Sequence, residues 1–83
     1  MSEIKVGVVS DFFARPVVAG IELSDKLSVG DTIRIKGHTT EMELVISSMQ
    51  LDNNSVESAK AGESVGIKVS ERVRPGDTVY KVI

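Results

Sequence analysis

His38 is the only histidine of the chain, and it lies in Gly37-His38-Thr39-Thr40, directly ahead of Glu41 and Glu43. Imidazole and carboxylate groups are the usual general acids and bases, and the same three side chains are ligands that a metal would take. Glu41 and Glu43 project from one face of a strand, about 7 Å apart by strand rise. Neither chemistry is completed. A general base needs a positioned nucleophile, and no pattern in the sequence supplies one. The chain has no cysteine, so thiol nucleophiles, thiolate metal sites and disulfides are all absent. His38 reads as a solvated turn residue and the two glutamates as a solvated sheet face. No catalytic residue, metal or cofactor is expected.

The seven glycines do not form a phosphate cradle. A P-loop needs clustered glycines followed by Gly-Lys-Ser or Gly-Lys-Thr, and a dinucleotide fingerprint needs three close glycines opening a helix. Neither is present, which excludes independent nucleotide hydrolysis.

Binding groups are better represented. Arg34 and Lys36 share an outward strand face, and Lys68 has the corresponding outward parity on a later strand. With Arg15 they are candidates for contact with RNA phosphate or an acidic surface. Asp11-Phe12-Phe13-Ala14-Arg15-Pro16 is the most individual segment. Adjacent phenylalanines in a strand point to opposite faces, so either one ring plugs the core while the other packs in the loop, or one stands out as a docking knob. Phe12 or Phe13 is thus the candidate anchor for docking a protein partner, since Phe and Arg are enriched at interfaces. With three aromatic residues and no tryptophan, a base-stacking platform is poorly supplied.

These groups must be held by a small all-β scaffold. Eighty-three residues make one domain, residues 1–83, and length scaling buries about 60% of the extended chain's surface. Ten basic against twelve acidic residues give a net charge of -2, which argues against a general nucleic-acid binder, DNA above all. No apolar run spans a bilayer and Met1-Ser2-Glu3-Ile4-Lys5 is not a secretory signal, so a cytoplasmic protein is expected.

The elements follow from period-two alternation. Ile4, Val6 and Val8 share one parity, with Phe12 continuing it, and Arg15-Pro16 breaks the ladder. Val17, Ala19, Ile21 and Leu23 face inward in a second run, and Ile33 and Ile35 in a third. The fourth runs from Met42 to Leu51 and slips in parity after Ile46, which predicts a β-bulge near Ser47-Ser48. Val65, Ile67 and Val69 mark another strand, and 77–83 the last. Segments 24–28 and 56–61 read as connections, the second as a short strand or one helical turn. Val29-Gly30-Asp31-Thr32-Ile33, Ala61-Gly62-Glu63-Ser64-Val65 and Pro75-Gly76-Asp77-Thr78-Val79 repeat one pattern. In each, glycine permits a positive φ and the acid caps nearby N–H groups as a strand begins. Six or seven short strands would leave exposed edges in an open sheet, so closure into a small antiparallel β-barrel is expected.

The order of these turns resembles domain II of the translational GTPases, as in elongation factor Tu, over nearly all 83 residues. It is carried by Gly7-Val8-Val9, Val17-Val18-Ala19-Gly20, Leu27-Ser28-Val29-Gly30-Asp31, Thr39-Thr40-Glu41-Met42, Ser47-Ser48-Met49-Gln50, Ala59-Lys60-Ala61-Gly62-Glu63-Ser64-Val65-Gly66-Ile67 and Arg74-Pro75-Gly76-Asp77. The resemblance implies a translation-related, non-catalytic binding module without GTPase activity, with a ribosomal component or tRNA as partner. It places a degenerate aminoacyl-end pocket at Ile21, Leu23 and Ser64, where this sequence departs from the family's residues. The barrel also resembles the C-terminal barrel of some collagenase-like U32 peptidases. That implies a different role, a docking adaptor for a separately encoded enzyme with no nucleic-acid function.

Overall fold

The computed structural model describes residues 2–15 and 17–83; Pro16, expected to break the first ladder, lies outside them. Ten strands are formed: β1 (Glu3–Ala14), β2 (Val17–Leu23), β3 (Leu27–Ser28), β4 (Thr32–Lys36), β5 (Glu41–Val45), β6 (Met49–Leu51), β7 (Asn54–Ser55), β8 (Ser58–Ala59), β9 (Ser64–Lys68) and β10 (Thr78–Val82). No helix is present among the described residues, and none is therefore long and apolar enough to cross a membrane. Eight strands make one antiparallel sheet in the order β5-β4-β10-β1-β2-β9-β6-β7, and β3 pairs with β8 apart from it. The accessible surface is 5098 Å², close to the roughly 4,800 Å² that scaling gives for this mass.

The inward sets of β2, β4 and β9 follow the alternation: Ala19, Ile21 and Leu23, then Ile33 and Ile35, then Val65 and Ile67 are buried, and Val17 is half-buried against the core. β1 differs. Ile4 is exposed, whereas Val6 and Val9 are both buried although three residues apart. Two extra residues in the strand make this spacing work. Lys5 pairs with Tyr80 and Gly7 with Val79, leaving Val6 unmatched. Val9 pairs with Ile21 and Asp11 with Gly20, leaving Ser10 unmatched. Each bulge re-aims the side chains that follow. Gly7 is needed between them, because a Cβ there would lie 2.6 Å from the Glu22 carbonyl oxygen.

The same three-residue spacing recurs at Ile46 and Met49, both 1% exposed, and here the expected bulge is a break. β5 ends at Val45 and β6 begins at Met49, far from it in the sheet order. The sheet does not close, and the closed barrel of six or seven strands is corrected on this point. Closure would need the edges β5 and β7 to pair, and β7 has only two residues, both paired with β6. The sheet keeps two edges, β5 and the two-residue β7.

The three glycine–acid turns are built alike. Gly30, Gly62 and Gly76 have φ of 95°, 92° and 98°, a region where a side chain is strained. Asp31, Glu63 and Asp77 each accept the N–H three residues back, from Ser28, Lys60 and Arg74, at 2.9 Å. The glycine N–H then donates to Ile46, Leu23 and Val9, whose own N–H groups donate to the acid's carbonyl. Every turn is thus clasped to a core residue distant in sequence. Asp77 is 6% exposed, and a Cβ at Gly37 would collide with its carboxylate.

Candidate functional site

The positive groups do not form one strip. β4 and β9 are separated in the sheet by β10, β1 and β2, which keeps Lys68 away from Arg34 and Lys36. Arg34 donates to Glu43 at 2.8 Å and to Glu3 at 3.1 Å, and Lys36 donates to Glu3 at 3.0 Å. Lys36 also stands over the Tyr80 ring, 5.3 Å from its centroid. Two cations and two carboxylates therefore neutralise one another on this face. The Lys36 hydrogen bond holds the Glu3 carboxyl below its ordinary range, against a weaker upward push from burial. Its partner Arg34 is raised, chiefly by the hydrogen bond to Glu43. Glu3, the hub of this network, went unnoticed in the sequence; its signal is its strand's place two strands from β4.

The two phenylalanines divide as adjacent strand residues must. Phe12 packs against the core, with the Arg72 guanidinium 5.8 Å from its ring centroid. Phe13 is 52% exposed. It pairs across the β1–β2 hairpin with Val18, and Arg15 follows at the exposed end of that hairpin. Phe13, Arg15 and Val18 form one wall of an open groove of about 550 Å³, with Gln50, Asp52 and Asn53 along the other wall and Gly66 among its lining residues. Val18 pairs with Lys68 on β9, and Gly66 pairs with Gly20 and Gln50. Two side-chain-free positions thus lie beside each other on the outer sheet face. The far wall is set by the β6–β7 turn, where Asp52 and Asn53 have φ of 51° and 65°. Those are the two left-handed positions of a two-residue hairpin loop. Gln50, Asp52 and Asn53 were read only as strand and polar turn, because nothing local in the sequence brings them to Phe13. The groove combines an apolar ring with one positive and one negative side chain, a composition suited to another protein's surface.

The remaining predicted positions lie elsewhere. Ile21 is fully buried and Leu23 is 4% exposed, both facing the core, while Ser64 is exposed at the start of β9. His38, Glu41 and Glu43 are exposed. Among the described residues, no three His, Cys, Asp or Glu side chains are placed to hold a metal ion.

No protein-family model matches this chain. It is 48% identical over 79 residues to an uncharacterized protease of Methanocaldococcus jannaschii, covering 94% of this chain and 19% of the protease. It is 36% identical over 81 residues to a collagenase of Porphyromonas gingivalis, covering 95% of this chain and 20% of the collagenase. The chain thus spans about one fifth of the length of the curated relatives it matches. Two crystal structures of the C-terminal domain of a protein named as a U32 peptidase, from Geobacillus thermoleovorans, superpose on it with TM-scores of 0.89 and 0.87. The first is matched over 95% of this chain and 92% of that one, the selenomethionine form over 92% and 96%, each at 18% identity. This chain shares that fold.

The resemblance to domain II of translational GTPases, elongation factor Tu included, is corrected by these matches. What the chain is similar to over nearly its whole length is a protease, a collagenase and a peptidase C-terminal domain. Three of the seven segments behind the mistaken resemblance hold the glycine–acid turns, whose bonds clasp strands together. The aminoacyl-end pocket at Ile21, Leu23 and Ser64 is implied by that resemblance alone, and the matches give no support to ribosomal or tRNA partners. The relatives' names connect the fold to peptidases, in line with the other resemblance, to the C-terminal barrel of U32 peptidases, while no catalytic residue is shown in this chain itself.

Proposed function

We propose that residues 1–83 are a docking module of a U32-type peptidase, which seats against the peptidase body and performs no bond cleavage itself. The observation that carries the reading is the alignment of nearly this whole chain with one fifth of a protease and of a collagenase. A module of that share leaves the larger part of those enzymes to do the chemistry. The partner is accordingly a protein of peptidase class, on a separate chain or the same one.

The groove at Phe13 is the docking site. Phe13 inserts as an aromatic anchor, and Arg15 and Asp52 set orientation through charges on opposite sides of the groove. Truncating a central aromatic anchor typically costs about 2 kcal/mol or more of binding energy, roughly thirtyfold in affinity. Arg34 and Lys36 are already spent on Glu3 and Glu43 and do not take part.

The test is affinity capture from native extract at low and high salt, with protein and RNA both identified. Recovery of a peptidase that survives high salt, and is lost on Phe13→Ala, supports the reading. RNA recovered at low salt alone, or a peptidase retained by Phe13→Ala, refutes it.

A further inference from the structure

We propose that the free edge of β5 is a second docking surface, which takes an extended basic segment of a protein partner as an added strand. The inference concerns the opposite end of the sheet order from the Phe13 groove and does not depend on it.

The backbone pattern of the β4–β5 hairpin fixes what that edge offers. Gly37 N–H donates to the Thr40 carbonyl at 2.7 Å, and Ile46 N–H donates to the Asp31 carbonyl at 2.9 Å. Between these ends the register is regular, with Lys36 opposite Glu41, Ile35 opposite Met42, Arg34 opposite Glu43, Ile33 opposite Leu44 and Thr32 opposite Val45. Antiparallel pairs alternate between bonded and non-bonded. Met42 and Leu44 therefore bond to β4, while Glu41, Glu43 and Val45 turn their N–H and C=O groups to the outer edge. Three donors and three acceptors in a row are a template for another strand.

A seam adjoins this edge. Leu44, Val45 and Ser47 line a small cleft of about 230 Å³ together with Lys68, Val69 and Ser70. β9 is bonded to β6 only at Ile67 and Gly66, so beyond Ile67 that side of β9 has no ladder. An added strand along β5 would lie beside this cleft.

Charge selects the occupant. Glu41 and Glu43 are exposed on the outer face, with Val45 58% exposed beside them. Glu41 has no ion pair among the described residues, and the Arg34–Glu3–Lys36–Glu43 network on this face is balanced without it. An antiparallel strand that meets these three side chains wants a β-branched residue opposite Val45, Lys or Arg opposite the unpaired Glu41, and at Glu43 a cation that shares the carboxylate with Arg34. A second copy of this chain is a poor occupant. Two-fold pairing centred on Glu43 sets Glu43 against itself, and pairing centred on Met42 sets Glu41 against Glu43.

The probe is an end-blocked peptide, Thr-Val-Thr-Lys-Thr-Lys-Thr, with a Glu-for-Lys peptide as its counterpart. Amide exchange is followed by NMR on the full chain. Saturating Lys peptide is expected to slow exchange at least tenfold at Glu41, Glu43 and Val45, leaving Met42 and Leu44 unchanged. Val45→Pro removes one outer donor without breaking a bond to β4 and should weaken binding at least fivefold. Should that variant fail to fold, Glu41→Lys keeps the test, with roughly fivefold weaker binding expected from reversing one exposed pair. Phe13→Ala should bind the peptide as the wild type does, which separates this surface from the groove. The proposal is overturned if the Lys peptide protects none of the three amides, if the Glu peptide binds equally, or if protection appears without peptide and rises with protein concentration.

Discussion

Asp77→Ala tests the clasped turns most severely. Its carboxylate accepts the Arg74 N–H at 2.9 Å and lies against Gly37, and the residue is 6% exposed. Removing it strands a part-buried donor, which costs about 1–3 kcal/mol, and leaves the space beside Gly37 empty. A loss of about 2 kcal/mol is expected, or roughly 10 °C in Tm for a domain of this size. The repeat supplies its own controls. Glu63→Ala removes the same bond at an exposed site, where water replaces the acceptor, so about 0.5 kcal/mol is expected. Asp31→Ala falls between, at about 1 kcal/mol, because its bond is part-buried and Lys81 stands 3.5 Å away. All three keep the backbone bonds from the acid's carbonyl to the clasped core residue. Urea unfolding followed by far-UV circular dichroism measures the series, since the chain has no tryptophan and one tyrosine. An unchanged m-value with a shifted midpoint shows that stability alone moved. Equal losses for Asp77→Ala and Glu63→Ala would refute the argument from burial.

Gly7→Ala should destabilise by about 1–3 kcal/mol, because its new Cβ meets the Glu22 carbonyl oxygen at 2.6 Å and Ile21 Cγ2 at 2.9 Å; thermal unfolding reads the loss. Asn53→Gly should stabilise by up to about 1 kcal/mol by relieving a left-handed residue in the β6–β7 turn, measured by the same urea titration. The depressed Glu3 carboxyl contributes stability that is complete above its unfolded pKa and is lost as pH falls through its lower folded value. Acid titration of Glu3→Gln should therefore show a shallower loss in that window than the wild type; matching curves would remove Glu3 from the balance.

Much of the scaffold was legible because period two is a strong signal where strands are regular. Ile21, Ile33, Ile35, Val65 and Ile67 were placed inward and are buried. The glycine–acid turns were also legible, since left-handed glycine with a capping acid is a local device. What the alternation misread was spacing by three. Val6 and Val9 reach the core through bulges against two different partners, and Ile46 and Met49 through a break. Both are set by neighbouring strands, which a single sequence does not display. The groove was half visible: Phe13 and Arg15 stand out as residues, but Gln50 and Asp52 join them only through the pairing of β9 with β2 and β6. The charge network was hidden likewise, because Glu3 and Arg34 are 31 residues apart.

The position of the last strand has a consequence for how the molecule comes into being. β10 lies inside the sheet, bonded to β1 on one side and β4 on the other, and Gly76 just before it clasps Val9. Before β10 docks, β1 and β4 stand on either side of an empty slot. No half of the fold is therefore complete without β10, and the core assembles through distant contacts, which is slow in kind. Until then the edges of β1 and β4 that β10 fills are open, so the interval before β10 docks is when this fold is most exposed to mispairing.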